Sequence, residues 1–238
     1  MIQELYRYFP QRIKNILKNI NSTVKKDIVE VRMRVKQPLQ IITYNNEFFV
    51  GSEGLALHDN KGAYTVSKRD LESAFLILTD NSVYAVERQL REGFITVQGG
   101  YRVGFTGEVI YEKGMIKVIK NISSLNYRIS REIIGTADGI ISKIYNETYK
   151  NYYNTLIISP PLCGKTTLLR DLIRLISTGS KKKNIEGKKI GVIDERSEIA
   201  GAYNGIPQNN IGCRTDLLDN CQKADGILIL IRSMSPEV

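Results

Sequence analysis

Tryptophan is absent from the 238 residues, histidine occurs once and cysteine three times. The missing Trp excludes nothing, but a lone histidine, His58, removes His-based metal clusters and Ser-His-Asp triads from consideration. In its context, ALHDNKG, it reads as a surface-loop residue. Cys163, Cys213 and Cys221 are odd in number and lack C-x-x-C spacing, which argues against a disulfide framework and a zinc site alike. No apolar run is long enough to cross a bilayer; the longest is ILILI at 227–231. The start, MIQELYRYFPQR, lacks the apolar centre of a signal peptide. The chain therefore reads as cytoplasmic, with any membrane role passing through a partner. Acidic residues are the scarcer charge, 25 against 34 Lys+Arg, for a net +9. Such a balance attracts nucleic acid, anionic membrane or acidic partners. The positive residues are dispersed, however, and the dense run KKK at 181–183 reads as a solvated loop.

What is present is an ordinary globular composition, 42% apolar and 25% charged, whose pattern changes character near residue 136. Residues 1–135 read as an N-terminal α+β module. Leu5, Phe9, Ile13, Ile16, Leu17 and Ile20 predict an amphipathic helix over 3–20, with Pro10 as a kink. IVEVRMRV (28–35) alternates as a half-buried strand does, and 40–50 reads as a hairpin turning at Asn45-Asn46. Ser67 to Asp70 fits a capping-box start for a helix bearing Leu71, Phe75 and Leu78. A further helix begins at Ser82 and stops at Gly93, followed by strands in FITVQGGYRVGFTGEVIY and MIKVI with Gly99-Gly100 and Lys113-Gly114 turns.

Residues 136–238 read as alternating helix and strand, an α/β P-loop NTPase core. The pattern predicts a helix over 137–149, a buried parallel strand in TLIIS (155–159) and an amphipathic helix in KTTLLRDLIRLIS (165–177). It also predicts a second buried strand in KIGVID (189–194) and a helix in TDLLDNCQKA (215–224) with Thr215 as N-cap. Strand, loop, helix, strand is the order of a doubly wound sheet.

At the junction of the first strand and helix stands SPPLCGKTT (159–167), which matches the phosphate-gripping pattern G-x-x-x-x-G-K-[ST] except at its first glycine. A phosphate loop needs a tight turn that aims backbone N–H groups at the anion, a helix whose positive end faces it, a lysine for the β/γ oxygens and a hydroxyl for Mg²⁺. Gly164, Lys165 and Thr166 fill the essential places. Ser159 replaces the first glycine, while Pro160 and Pro161 restrict the turn and reduce the entropy lost in forming it. Ser159, Pro160, Pro161, Leu162, Cys163, Gly164, Lys165, Thr166 and Thr167 are thus the candidate nucleotide contacts, with ATP and Mg²⁺ as ligands. Cys163, beside the helix start, reads as a small loop filler. The second strand ends in Asp194-Glu195-Arg196-Ser197-Glu198, at the carboxyl end where ligands bind in open α/β sheets. Glu195 and Glu198 are the candidate catalytic pair with Lys165, and Thr166 and Asp194 the candidate metal ligands.

IDERSEIAGAYNGIPQNNIGCRTDLLDNCQKADGILILIRSMSPEV (193–238), GGYRVGFTGEV (99–109) and ISSLNYRISREIIGTAD (122–138) resemble the stage III sporulation protein AA family. Its members are cytosolic ATPases of endospore formers, similar to the motor ATPases of type II and type IV secretion and pilus systems. The resemblance implies a RecA-like core, ATP hydrolysis, a hexameric ring and docking on membrane-embedded partners of a sporulation channel, with the protein in the mother cell. It makes Asp194 to Glu198 an acidic box near the γ-phosphate and 224–234 a helix. A Walker B strand is expected to follow LIRSMSPEV, so the sequence is expected to be truncated there. Arg102, Arg128 and Arg131 become candidates to complete a neighbouring subunit's site. A nucleic-acid-associated NTPase is the competing reading, with a small-molecule kinase behind it; the Tyr145–Tyr153 stretch is the nearest approach to an aromatic-basic groove and reads as a linker.

Overall fold

The computed structural model describes residues 2–80, 87–129, 132–161 and 163–238. The helix start expected at Ser82, and the candidates Arg131 and Leu162, lie outside the described residues. Two compact units divide the chain, Met1–Ser130 and Arg131–Val238.

The first unit begins with α1 (Ile2–Leu5) and a single 3-10 turn, then α2 (Gln11–Asn19) and α3 (Ser22–Asp27). The single helix expected over 3–20 is broken at Phe9-Pro10. Phe9 is extended (φ −108°, ψ 144°), as residues before proline prefer, and Pro10 becomes the N-cap of α2. Leu5, Ile13 and Leu17 are nonetheless fully buried.

β1 (Ile28–Arg34), β2 (Gln40–Thr43), β3 (Glu47–Val50) and β4 (Ala56–Leu57) precede α4 (Lys68–Leu78) and α5 (Glu87–Glu92). β5 (Phe94–Val97), β6 (Tyr101–Glu112) and β7 (Met115–Arg128) follow. They form an antiparallel sheet in the order β4-β3-β2-β1-β7-β6-β5. Register is set by one buried face: Val31 lies opposite Tyr127 and Met33 opposite Leu125, all buried, whereas Glu30 and Arg32 pair with each other at 2.7 Å on the other face. The Asn45-Asn46 turn and the Ser67/Asp70 capping box form where the sequence places them. Each such buried side chain stabilises by roughly 1.5–3 kcal/mol relative to exposure.

The second unit contains α6 (Ile141–Ile144), β8 (Tyr145–Asn146), β9 (Asn151–Tyr152), α7 (Lys165–Thr178), β10 (Ile190–Asp194), β11 (Thr215–Asp219) and α8 (Lys223–Met234). α7, β10 and α8 stand where the sequence and the resemblance expect them. Alternation along β10 sorts its neighbours: Ile190 and Val192 are buried in the core with Leu172 and Ile176 of α7, and Asp194 is buried on the same face. Gly191 faces the other way, under Leu230 of α8, where a Cβ would lie 3.0 Å from the leucine methyl. β10 is thus sandwiched between two helices.

Three expectations fail here. The helix over 137–149 shrinks to the four residues of α6, because the Asn146 side chain accepts the amides of Thr148 and Tyr149 and diverts the chain into the β8/β9 hairpin. TDLLD is a strand, not a helix: β11 pairs in parallel with β10, from Ile190↔Thr215 to Asp194↔Asp219. Tertiary pairing overrides its Thr-Asp cap signal, and Asn220 (φ 55°) ends it before α8. TLIIS joins no ladder; Leu156 and Ile158 are 82% and 81% exposed, and Ile157 alone packs on the α7/β10 core. An apolar run reports a tendency to be buried, but a strand needs a partner edge. β10's second edge is taken near its start by the chain end: the Glu237 N–H donates to Lys189 O and the Gly191 N–H to Val238 O, both at 2.9 Å.

Candidate nucleotide site

α7 begins abruptly. Gly164 sits in the left-handed region (φ 78°, ψ 9°) at its N-cap, with open space where a Cβ would project. That conformation suits glycine, so the G of GKTT is required by the turn itself. No side chain caps the helix and no acidic residue occupies its first turn. The first-turn amides and the positive end of the helix dipole are therefore left for an external anion. The Lys165 ammonium folds back to donate to the Ser159 carbonyl at 3.3 Å, and the Ser159 hydroxyl donates to Pro160 O at 3.0 Å. Pro160, Pro161, Cys163, Gly164 and Lys165 are exposed, Ser159, Thr166 and Thr167 half-buried. These residues fit a polyphosphate: Lys165 supplies a cation, Thr166 a hydroxyl, and the first turn of α7 amides that no side chain caps and no acidic residue accompanies. An apolar cleft of about 500 Å³ in this unit lies elsewhere, lined by Tyr152, Ile157, Leu169, Leu172 and Val192 among others.

The acidic segment is a tightly held loop. Asp194 is buried, and both of its carboxylate oxygens are engaged: Oδ1 accepts the amide of Glu198 at 2.9 Å, and Oδ2 those of Ile199 and Ala200 at 2.8 and 2.9 Å. Asp194 therefore anchors the loop, with one of the roughly four acceptor sites of its carboxylate not taken by these amides. Glu195 is half-exposed and lies 3.7 Å from Lys223 of α8, a solvent-screened pair worth little. Glu198 is held through its backbone: an Nη of Arg170 donates to Glu198 O at 2.7 Å, and Arg170 Nε to Ile199 O at 2.6 Å. Arg170, and Asp171 beside it, belong to no motif that the sequence displays. Asp171 lies on the apolar face of α7, at the spacing of Leu168, Leu172 and Leu175, and a charged residue there was the available signal. It accepts the amides of Gly135 and Ala137 and is 2.6 Å from Arg174. Burial would push its carboxyl up; the Ala137 amide, Arg174 and the Gly135 amide together hold it below the usual carboxylate range.

Of the candidate arginines in the first unit, Arg128 lies 3.8 Å from Glu30 and Arg102 stacks over the Phe94 ring at 4.4 Å. Among the described residues, no three His, Cys, Asp or Glu are grouped so as to hold a metal ion, and no helix is long and apolar enough to cross a membrane.

The family model of sporulation stage III, protein AA, matches residues 2–238. Stage III sporulation protein AA of Bacillus subtilis (strain 168) is 42% identical over 237 residues, a match covering 100% of this chain and 72% of that protein. The uncharacterized protein ycf45 of Cyanidium caldarium is 35% identical over 81 residues, 34% of this chain and 21% of that one. Among solved structures, the Legionella pneumophila ATPase DotB aligns with TM-score 0.45 and 14% identity, over 95% of this chain and 58% of its own. The pilus retraction motor PilT with bound ADP aligns with TM-score 0.47 and 13% identity, over 87% and 53%. The chain thus spans little more than half the length of these solved proteins, and TM-scores under 0.5 give them no bearing on its ligand or assembly.

Proposed function

The chain belongs to the sporulation stage III protein AA family, and from that premise we propose that it is an ATP-binding motor ATPase energising a secretion-like channel from the cytoplasm. The observation that carries the nucleotide part is Gly164 in the left-handed region, delivering an uncapped helix start next to the exposed ammonium of Lys165. The amides of residues 163–167 hold the β-phosphate, and Lys165 neutralises the β/γ oxygens. Thr166 supplies the hydroxyl for Mg²⁺; Ser159, Pro160, Pro161, Leu162, Cys163 and Thr167 complete the loop's contacts. When bound, Mg²⁺ offsets charge on the transferring phosphoryl group. Glu195 and Glu198 orient and deprotonate the attacking water, while Asp194 keeps its oxygens for the loop. The working assembly is a homo-oligomeric ring of six, RecA-like in its core, docked on membrane-embedded sporulation proteins.

The reading is tested by Mg-ATP turnover. Glu198→Gln is expected to reduce turnover at least ~100-fold while nucleotide affinity stays within about threefold of wild type. Unchanged turnover in Glu198→Gln would remove that carboxylate from the mechanism. Stimulation by DNA or RNA with a steep salt dependence would replace the channel motor with a nucleic-acid NTPase.

A further inference from the structure

The loop after β10 is tied to the phosphate-binding helix by one side chain. Arg170 stands five residues beyond Lys165 on α7, about 8 Å along a rigid helix. Its guanidinium reaches two successive carbonyls, those of Glu198 and Ile199. From the far side, Asn209 Nδ2 also donates to Ile199 O at 2.9 Å, and the amides of Gln208 and Asn209 donate to Ala200 O. From within, Asp194 gathers the amides of residues 198–200. Glu132 and Asp194 supply the opposite charge around the half-buried guanidinium. Of these ties, the Arg170 contact is the one that runs to the helix bearing the phosphate loop. A planar fork fixes the direction of both carbonyls at once, which a lysine's single ammonium does not.

We propose that Arg170 is a positioning residue that couples phosphate occupancy at the start of α7 to the loop carrying Glu195 and Glu198. The inference rests on the nucleotide reading above and deepens it. Phosphate held by the first-turn amides restrains α7, and Arg170 passes that restraint to the backbone of Glu198 and Ile199, so that nucleotide further stiffens a loop whose ties are already made. Arg170 itself touches neither phosphate nor water in this scheme.

Hydrogen exchange at the amides of Glu198, Ile199 and Ala200, with and without Mg-ATP, tests it in the full chain. In wild type, Mg-ATP is expected to slow exchange there about tenfold or more. Arg170→Gln should keep Mg-ATP affinity within about threefold yet lose the slowing, and Arg170→Lys should recover only part of it. Amides of β10 report whether each variant is folded; if Arg170→Gln loses their protection, Arg170→Lys carries the comparison. An equal response of the loop in wild type and the variant overturns the proposal, as does a collapse of affinity matching that of Lys165→Ala. A wild type that takes up nucleotide without any response at residues 198–200 sinks this inference alone. A wild type that takes up none sinks the nucleotide reading with it.

Discussion

Lys165→Ala is expected to weaken Mg-ATP binding at least ~100-fold, about 2.7 kcal/mol or more. The magnitude follows from the geometry. The ammonium rests on a neutral carbonyl, that of Ser159, and its side chain is exposed. Turning it onto a polyphosphate therefore breaks little and gains several charge-assisted hydrogen bonds to an anion held at a helix start. Truncation removes those bonds and leaves the anion facing amides alone. Stability should scarcely move, because the ammonium is not buried and caps nothing in the core. A titration of wild type and variant, with unfolding curves for both, separates the two effects. Equal affinities would mean that the loop does not grip phosphate through this lysine.

The second large effect is on stability. Asp194→Ala leaves the amides of Glu198, Ile199 and Ala200 without their acceptor in a part-buried loop. An orphaned buried donor costs about 1–3 kcal/mol, and water reaches part of this one, so a loss of ~2–4 kcal/mol is expected for the second unit. Asp194→Asn should fall between. Its one carbonyl oxygen can serve Ile199 and Ala200, but its NH₂ then meets the Glu198 N–H donor to donor. Urea unfolding followed by circular dichroism reads the difference. Loss of the magnesium dependence of nucleotide binding in Asp194→Asn would make Asp194 a metal ligand as well as a loop anchor.

Much of the candidate site's local geometry was legible in the sequence because it depends on consecutive residues. Gly164, Lys165 and Thr166 are consecutive, and the turn they need is dictated by glycine's freedom and the amphipathic run that follows. β10 was equally clear, as a short apolar run with no helical period. What escaped was what depends on distant partners. Arg170 meets carbonyls 28 and 29 residues away, and Asp171 meets amides 36 and 34 residues before it. TDLLD carries a helix-like cap and Leu-Leu pair, and only the parallel edge of β10 makes it a strand. TLIIS is the opposite case: its composition demands burial, yet in this structure no ladder receives it. The acidic segment does follow β10, but spacing could not say which of its carboxylates accept backbone amides. Asp194 is buried and accepts three amides, whereas Glu195 stands half-exposed beside a lysine.

The most direct test watches the amides at the start of α7 by NMR as Mg-ADP is added to isotope-labelled protein. The account predicts the largest shifts at Cys163, Gly164, Lys165, Thr166 and Thr167, saturating with nucleotide and absent in Lys165→Ala. Shifts confined to other parts of the chain, or none at saturating Mg-ADP, would contradict it.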